Sequence, residues 1–283
     1  MLDAFTHCEE LVRAGDKDRY LATLFAPAKY RRALFALYAF NFEVARVREL
    51  ARESMPGEIR LQWWADVLSG AGRGDVSANP VAVALREVVV RFRLPPKKLA
   101  ELIEARRFDL HDQPMPSLTA LEHYAIATSS SVIDLAARIL GDGREPPVTE
   151  LVGHAGIAYS FTGLLRALPI HAARRQLFIP VDVMERHHAQ AEDVFAKKPT
   201  LELRAALAEM RLYARRHLAT ARDLLKTAPE SVMPALLPLA LLRPALARME
   251  RRFYQPFRLG DPAQWRRQWT LWRAARSGLA RAL

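Results

Sequence analysis

The chain has 283 residues, 51% hydrophobic and 26% charged, enough for a large buried core and far from the composition of a disordered chain. Its 42 Lys+Arg against 31 Asp+Glu leave a net charge of +11. A lone cysteine, Cys8, excludes a disulfide framework or a cysteine-rich zinc site and points to a reducing compartment such as the cytoplasm.

The opening residues Met1 to His7 lack the basic-then-apolar order of a signal peptide. Leu34, Leu37, Tyr38, Val44 and Val47 recur at helical spacing. Ser69-Gly70-Ala71-Gly72-Arg73-Gly74 reads as a loop, and Asn79-Pro80 as a helix start, because a first-turn proline loses no hydrogen bond. Gln113-Pro114-Met115-Pro116 is a second loop, followed by a helix start at Ser117, and Gly141 to Pro147 is a third. Asp109 and Asp112 read as surface residues or caps on a helix that Pro114 ends. Only Gln176 to Pro180 reads as extended, and it is too short to begin a sheet. The longest apolar run, Val232 to Leu242, carries Pro234 and Pro238 and is short for a membrane span. About a dozen helices, no sheet, no repeat and no linker predict a single all-α domain over residues 1–283. Its last part, 204–283, is basic: 16 Lys+Arg against five Asp+Glu, while residues 1–203 balance. That end favours anionic partners, an anionic membrane surface among them. No nucleic-acid-binding motif accompanies it, so nucleic acid is not expected as a partner.

Two segments carry more than amphipathic spacing. One is Tyr30-Arg31-Arg32-Ala33-Leu34-Phe35-Ala36-Leu37-Tyr38-Ala39-Phe40-Asn41. The other runs from Gly156 through Thr162-Gly163-Leu164-Leu165-Arg166 to Arg174-Arg175-Gln176-Leu177-Phe178-Ile179-Pro180. With Pro27, Asp109-Leu110, Tyr124 and Asp182 in matching order, they resemble the squalene/phytoene synthase family over roughly residues 16–230. The resemblance implies an isoprenoid-synthase-type helical bundle around a central cavity, in which two prenyl diphosphates are joined head to head. Magnesium suits that reaction, since a hard cation bridges diphosphate oxygens to carboxylates. In the family those carboxylates come from two Asp-rich motifs with four-residue spacing, which puts each pair on one helix face.

Here the acids are largely replaced. The first motif's positions hold Ala45, Arg46 and Glu49, and the second's hold Ala167 and His171; only Glu49 keeps a carboxylate. Two cations about 4 Å apart repel by roughly 1 to 4 kcal/mol, so Arg46 opposes a metal beside it. The resemblance therefore implies no catalytic residues and no cofactor; magnesium enters only if the chain is an active prenyltransferase after all. Ala39 to Ala45, Ile59 to Trp64, and Leu165 to His171 with Arg174-Arg175 are most similar to the branch that contains mitochondrial respiratory complex I assembly factors and their bacterial relatives. That branch implies a catalytically degenerate protein, cytoplasmic and peripheral to the inner membrane, with complex I subunits as partners. Two alternatives stand beside it: an active head-to-head prenyltransferase, and a non-catalytic binder of a prenyl diphosphate or lipid.

Ligand-binding candidates follow. Arg46, Arg166, Arg174 and Arg175, with Tyr38, suit an anion, because guanidinium binds phosphate bidentately and stays charged. For Arg46 the plainer expectation is an ion pair with Glu43 or Glu49. His187 and His188 are adjacent and diverge on a helix, so no metal site is expected. Ser129-Ser130-Ser131 fit either a roomy cavity wall or close helix packing. Trp265, Trp269 and Trp272 recur on one helical face among arginines, and the commoner expectation for such a stripe is core closure rather than a membrane face.

Overall fold

The computed structural model describes residues 3–51, 53–71, 76–258, 260 and 262–283. Its α-helices, in order, are α1 (Ala4–Gly15), α2 (Lys17–Thr23), α3 (Ala28–Ala45), α4 (Val47–Leu50), α5 (Ser54–Ser69), α6 (Pro80–Arg91), α7 (Pro96–Arg106), α8 (Leu118–Ala125), α9 (Ser131–Leu140), α10 (Thr149–Ala173), α11 (Val181–Arg186), α12 (Ala191–Phe195), α13 (Leu201–Leu224), α14 (Met233–Leu236), α15 (Leu242–Met249), α16 (Gln264–Ser277) and α17 (Leu279–Ala282). No strand occurs among the described residues. The fold is all-α, as the spacing of apolar residues indicates.

Local chemistry explains where several helices begin. Asn79 accepts from the Ala82 N–H, with Pro80 behind it, and Ser117 accepts from the Ala120 N–H at 3.1 Å. Gly70 ends α5 with φ +79°, in the left-handed region that glycine adopts freely. Of the expected loop, Gly72, Arg73 and Gly74 lie outside the described residues. Gly141 to Pro147 is loop, and Gln176 to Pro180 is irregular.

The chain forms two compact units from interleaved segments. One comprises Met1–His111, Ser131–Thr149 and Thr227–Pro238. Its centre is α3, buried at eleven of its eighteen residues, which packs against α1, α6 and α9. A helix apolar on nearly every side belongs in the interior. Leu37, Phe40, Leu61, Trp64, Leu85 and Leu99 are fully enclosed there, and the Phe40 and Trp64 rings meet edge-on at 5.0 Å. Asp109, expected at the surface, is instead buried, in a 3₁₀ turn after α7. The Arg106 guanidinium at 3.1 Å supplies the partner that a buried carboxylate requires, and α7 has ended before Pro114 is reached.

The other unit comprises Asp112–Ser130, Glu150–Lys226 and Leu239–Leu283. The extended stretch is pinned by backbone pairing: the Met115 N–H donates to the Leu177 carbonyl, and the Val181 N–H donates to the Met115 carbonyl, both at 2.9 Å. Asp182 accepts from the Leu118 N–H at 3.1 Å, so this acid serves the start of α8. The serine run is not plain α-helix. Ile126–Ser130 forms a π-helical turn, and the Ser130 hydroxyl donates to the Gly153 carbonyl of α10. A side chain at Gly156 would overlap Ser130, so this contact decides for close helix packing.

Residues Glu230–Met249 are long and apolar enough, by length and composition, to cross a membrane. Pro234, Pro238 and Pro244 divide them into short helical pieces, and most of their apolar window is buried inside the protein. The tryptophan stripe of α16 departs from the expected core closure. Trp265, Trp269 and Trp272 are 62%, 56% and 40% exposed, because Arg267, Leu271 and Ala274 take the inward face.

Candidate functional site

In the first unit, α3 stops at Ala45. Arg46 leaves helical geometry at φ −94° and ψ 3°, and the chain restarts as α4. The four-residue spacing from Ala45 to Glu49 therefore does not run along one helix. Arg46 Nε donates to Glu49 Oε2 at 2.9 Å, and its guanidinium lies 4.8 Å from the Phe42 ring centre. The plainer expectation for Arg46 holds: it forms an ion pair. Ala45 offers no donor, and the only acid at these positions is engaged by a cation. A hard divalent ion needs several free oxygens, so this donor set does not fit magnesium.

Arg46 also borders a pocket of about 570 Å³ with Phe42, Glu43, Arg60, Trp63 and Asn79. Burial pushes the Glu43 carboxyl up, while a hydrogen bond from Asn79 and the charge of Arg60 pull it back. Glu43 thus shares a pocket with Arg46. Arg60 and Trp63 join it although no role follows from their sequence. Their only signal is the run Ile59 to Trp64, where two adjacent indoles follow Arg60 on an otherwise ordinary helix. Tyr38 is buried two turns earlier, with the Arg19 guanidinium 5.5 Å from its ring centre.

In the second unit, Arg166, Ala167 and His171 follow one another along the last turns of α10, which carries Pro169. The His171 ring meets Phe178 edge-on at 4.6 Å, and Phe178 in turn lies 5.9 Å from Tyr124. Arg174 and Arg175 follow the helix end. Arg175 is exposed, 3.3 Å from Glu192 and 4.4 Å from the Phe195 ring centre. His187 reaches Glu209 at 2.6 Å, and His188 diverges with φ +55°. Among the described residues no three His, Cys, Asp or Glu side chains stand together as metal ligands would.

The same unit holds a cluster that sequence reasoning missed. His154 Nδ1 and His217 Nδ1 are 2.9 Å apart, and His217 Nε2 lies 3.3 Å from Glu122. These residues come from α10, α13 and α8, far apart in sequence, so no spacing announces them. Burial first, then His154, pushes the His217 imidazole down to about 4.

The model of the squalene/phytoene synthase family matches residues 12–273. The chain belongs to this family. Human NADH dehydrogenase (ubiquinone) complex I, assembly factor 6 is 32% identical over 245 residues, covering 87% of this chain and 73% of that protein. Phytoene synthase 1, chloroplastic, of Arabidopsis thaliana is 26% identical over 203 residues, covering 70% and 48%. Among solved structures, a dehydrosqualene synthase in complex with ligand superposes with a TM-score of 0.82 over 98% of this chain and 96% of that one. At 19% identity that likeness shows the fold alone. Within the squalene/phytoene synthase family, then, the chain keeps the architecture while Ala45, Arg46, Ala167 and His171 occupy positions where the resemblance implies aspartates.

Proposed function

We propose that this chain supports the assembly of respiratory complex I, peripheral to the inner membrane, and does not condense prenyl diphosphates. The observation that carries the reading is the Arg46–Glu49 ion pair at the first motif. A guanidinium bonds Glu49, the one motif position that keeps a carboxylate. Ala167 and His171 remove the corresponding acids from the second. The similarity to assembly factor 6, at 32% identity over most of both chains, supports the same direction.

The unit that carries the charge supports a peripheral membrane position. The exposed α16 tryptophans suit the headgroup boundary, and the arginines of 204–283 attract anionic lipid. Complex I subunits are the proposed clients, since the fold then serves as a scaffold in place of a reaction vessel.

The enzymatic part is tested by incubating purified protein with farnesyl or geranylgeranyl diphosphate and magnesium. The expected result is no squalene- or phytoene-type product. Product formed in many turnovers and abolished by chelation would refute the reading.

A further inference from the structure

Neither motif region uses the histidine pair of the second unit. His154 sits on α10 about 25 Å along the helix axis from His171. Its Nδ1 and that of His217, on α13, are 2.9 Å apart. On the far side of the His217 ring, Nε2 lies 3.3 Å from the Glu122 carboxylate of α8. That contact selects the tautomer: a proton held on Nε2 for Glu122 leaves Nδ1 with its lone pair. Burial and His154 hold His217 down to about 4, so near neutral pH no second proton competes for that lone pair. The His217 side chain is 14% exposed, and the Tyr213 ring, stacked on Phe161, lies 5.4 Å from it centre to centre.

A carboxylate on one imidazole nitrogen, with the other nitrogen facing a shared point, is how proteins orient a metal-binding histidine. Two nitrogens 2.9 Å apart subtend about 90° at a metal whose bonds are about 2.0–2.1 Å long. Tetrahedral zinc needs a wider spacing, whereas octahedral and tetragonal ions take such a pair side by side. The two donors ride on helices of 25 and 24 residues, rigid elements that hold a fixed spacing. We propose that His154 Nδ1 and His217 Nδ1 form the protein half of a divalent transition-metal site of the nickel or copper type, with Glu122 as its orienting carboxylate. Among the described residues no third His, Cys, Asp or Glu joins the pair as a ligand, so water completes the coordination. Without metal, His154 Nδ1–H donates to His217 Nδ1. With metal, His154 carries that proton on Nε2 instead, and none is released. The site is independent of the assembly role, and its donors are nitrogens where the two motifs imply oxygens.

The probe is nickel chloride, titrated by calorimetry into the full-length chain, free of any histidine tag and stripped by chelator. One equivalent should bind. His217→Gln should weaken binding by at least about tenfold, and so should Glu122→Ala, since losing an orienting carboxylate costs about 10–100-fold. Glu122→Gln still accepts the hydrogen bond and should recover part of that loss. His154→Gln repeats the ligand test from the other helix, and a thermal melt of each metal-free variant checks its folding. The control, His187→Gln/His188→Gln, removes a different pair of histidines and should bind as the parent does. Copper(II) on the parent should show two nitrogens in its EPR hyperfine pattern, and one in either histidine variant. No binding by the parent, equal binding by the parent and both histidine variants, or loss confined to the His187/His188 control overturns the site. The pair is then a hydrogen bond and nothing more.

Discussion

Arg46 holds Glu49 across a helix junction at which both side chains are more than one-third exposed. Exposed ion pairs contribute about 0–1 kcal/mol, so Arg46→Ala should move the denaturant midpoint little. It should not create magnesium binding either, since Ala45 still supplies no ligand; calorimetry with magnesium alone checks this. Cys8 is fully buried, and its thiol is pushed up to about 12, chiefly by burial. It should stay unmodified by a thiol reagent in the native protein and react only on unfolding. His217 makes a pH prediction. Its folded value lies below its unfolded one, so the unfolded chain takes up the proton first. Stability is therefore full above about pH 6.5 and falls as the pH drops toward 4, by at most about 3 kcal/mol. Glu122 opposes part of that loss. His217→Gln should flatten this stretch of the Tm-versus-pH curve, and an unchanged curve would contradict the assignment. None of these partners was legible in sequence beyond the Arg46 pair, because Asp109, His154 and Glu122 meet their partners through tertiary packing or a local turn that spacing does not encode.

Helix beginnings with short-range chemistry were legible, as at Asn79-Pro80 and Ser117, since a cap needs only residues within one turn. The break in α3 was not, because nothing local at Ala45-Arg46 forbids another turn. The fate of the α16 tryptophans was not legible either: a stripe records periodicity and leaves open which neighbouring face meets the protein. Two predictions belong at this scale. Gly156→Ala should destabilise by about 1–3 kcal/mol through overlap with the Ser130 backbone, measurable as a lowered Tm. Trp269→Ala/Trp272→Ala removes a stacked pair, 4.9 Å between ring centres, that is largely exposed. It should reduce capture on anionic vesicles while the Tm changes little. A large fall in Tm would mean that these rings close a core.

For the whole molecule, the family was readable from the order of several motifs, and the fold follows from it. The replaced acids were equally visible, being single residues at fixed distances from those motifs. The positions where the resemblance implies aspartates carry a cation, alanines and a histidine beside Glu49. Its surplus charge sits beyond residue 203. The most direct test is deletion of the coding sequence in the source organism, followed by assay of NADH:quinone oxidoreductase activity and of squalene- or phytoene-type isoprenoids in the same membranes. The account predicts loss of complex I activity with isoprenoid levels unchanged, restored by the parent chain. Normal complex I activity with isoprenoids depleted would contradict it.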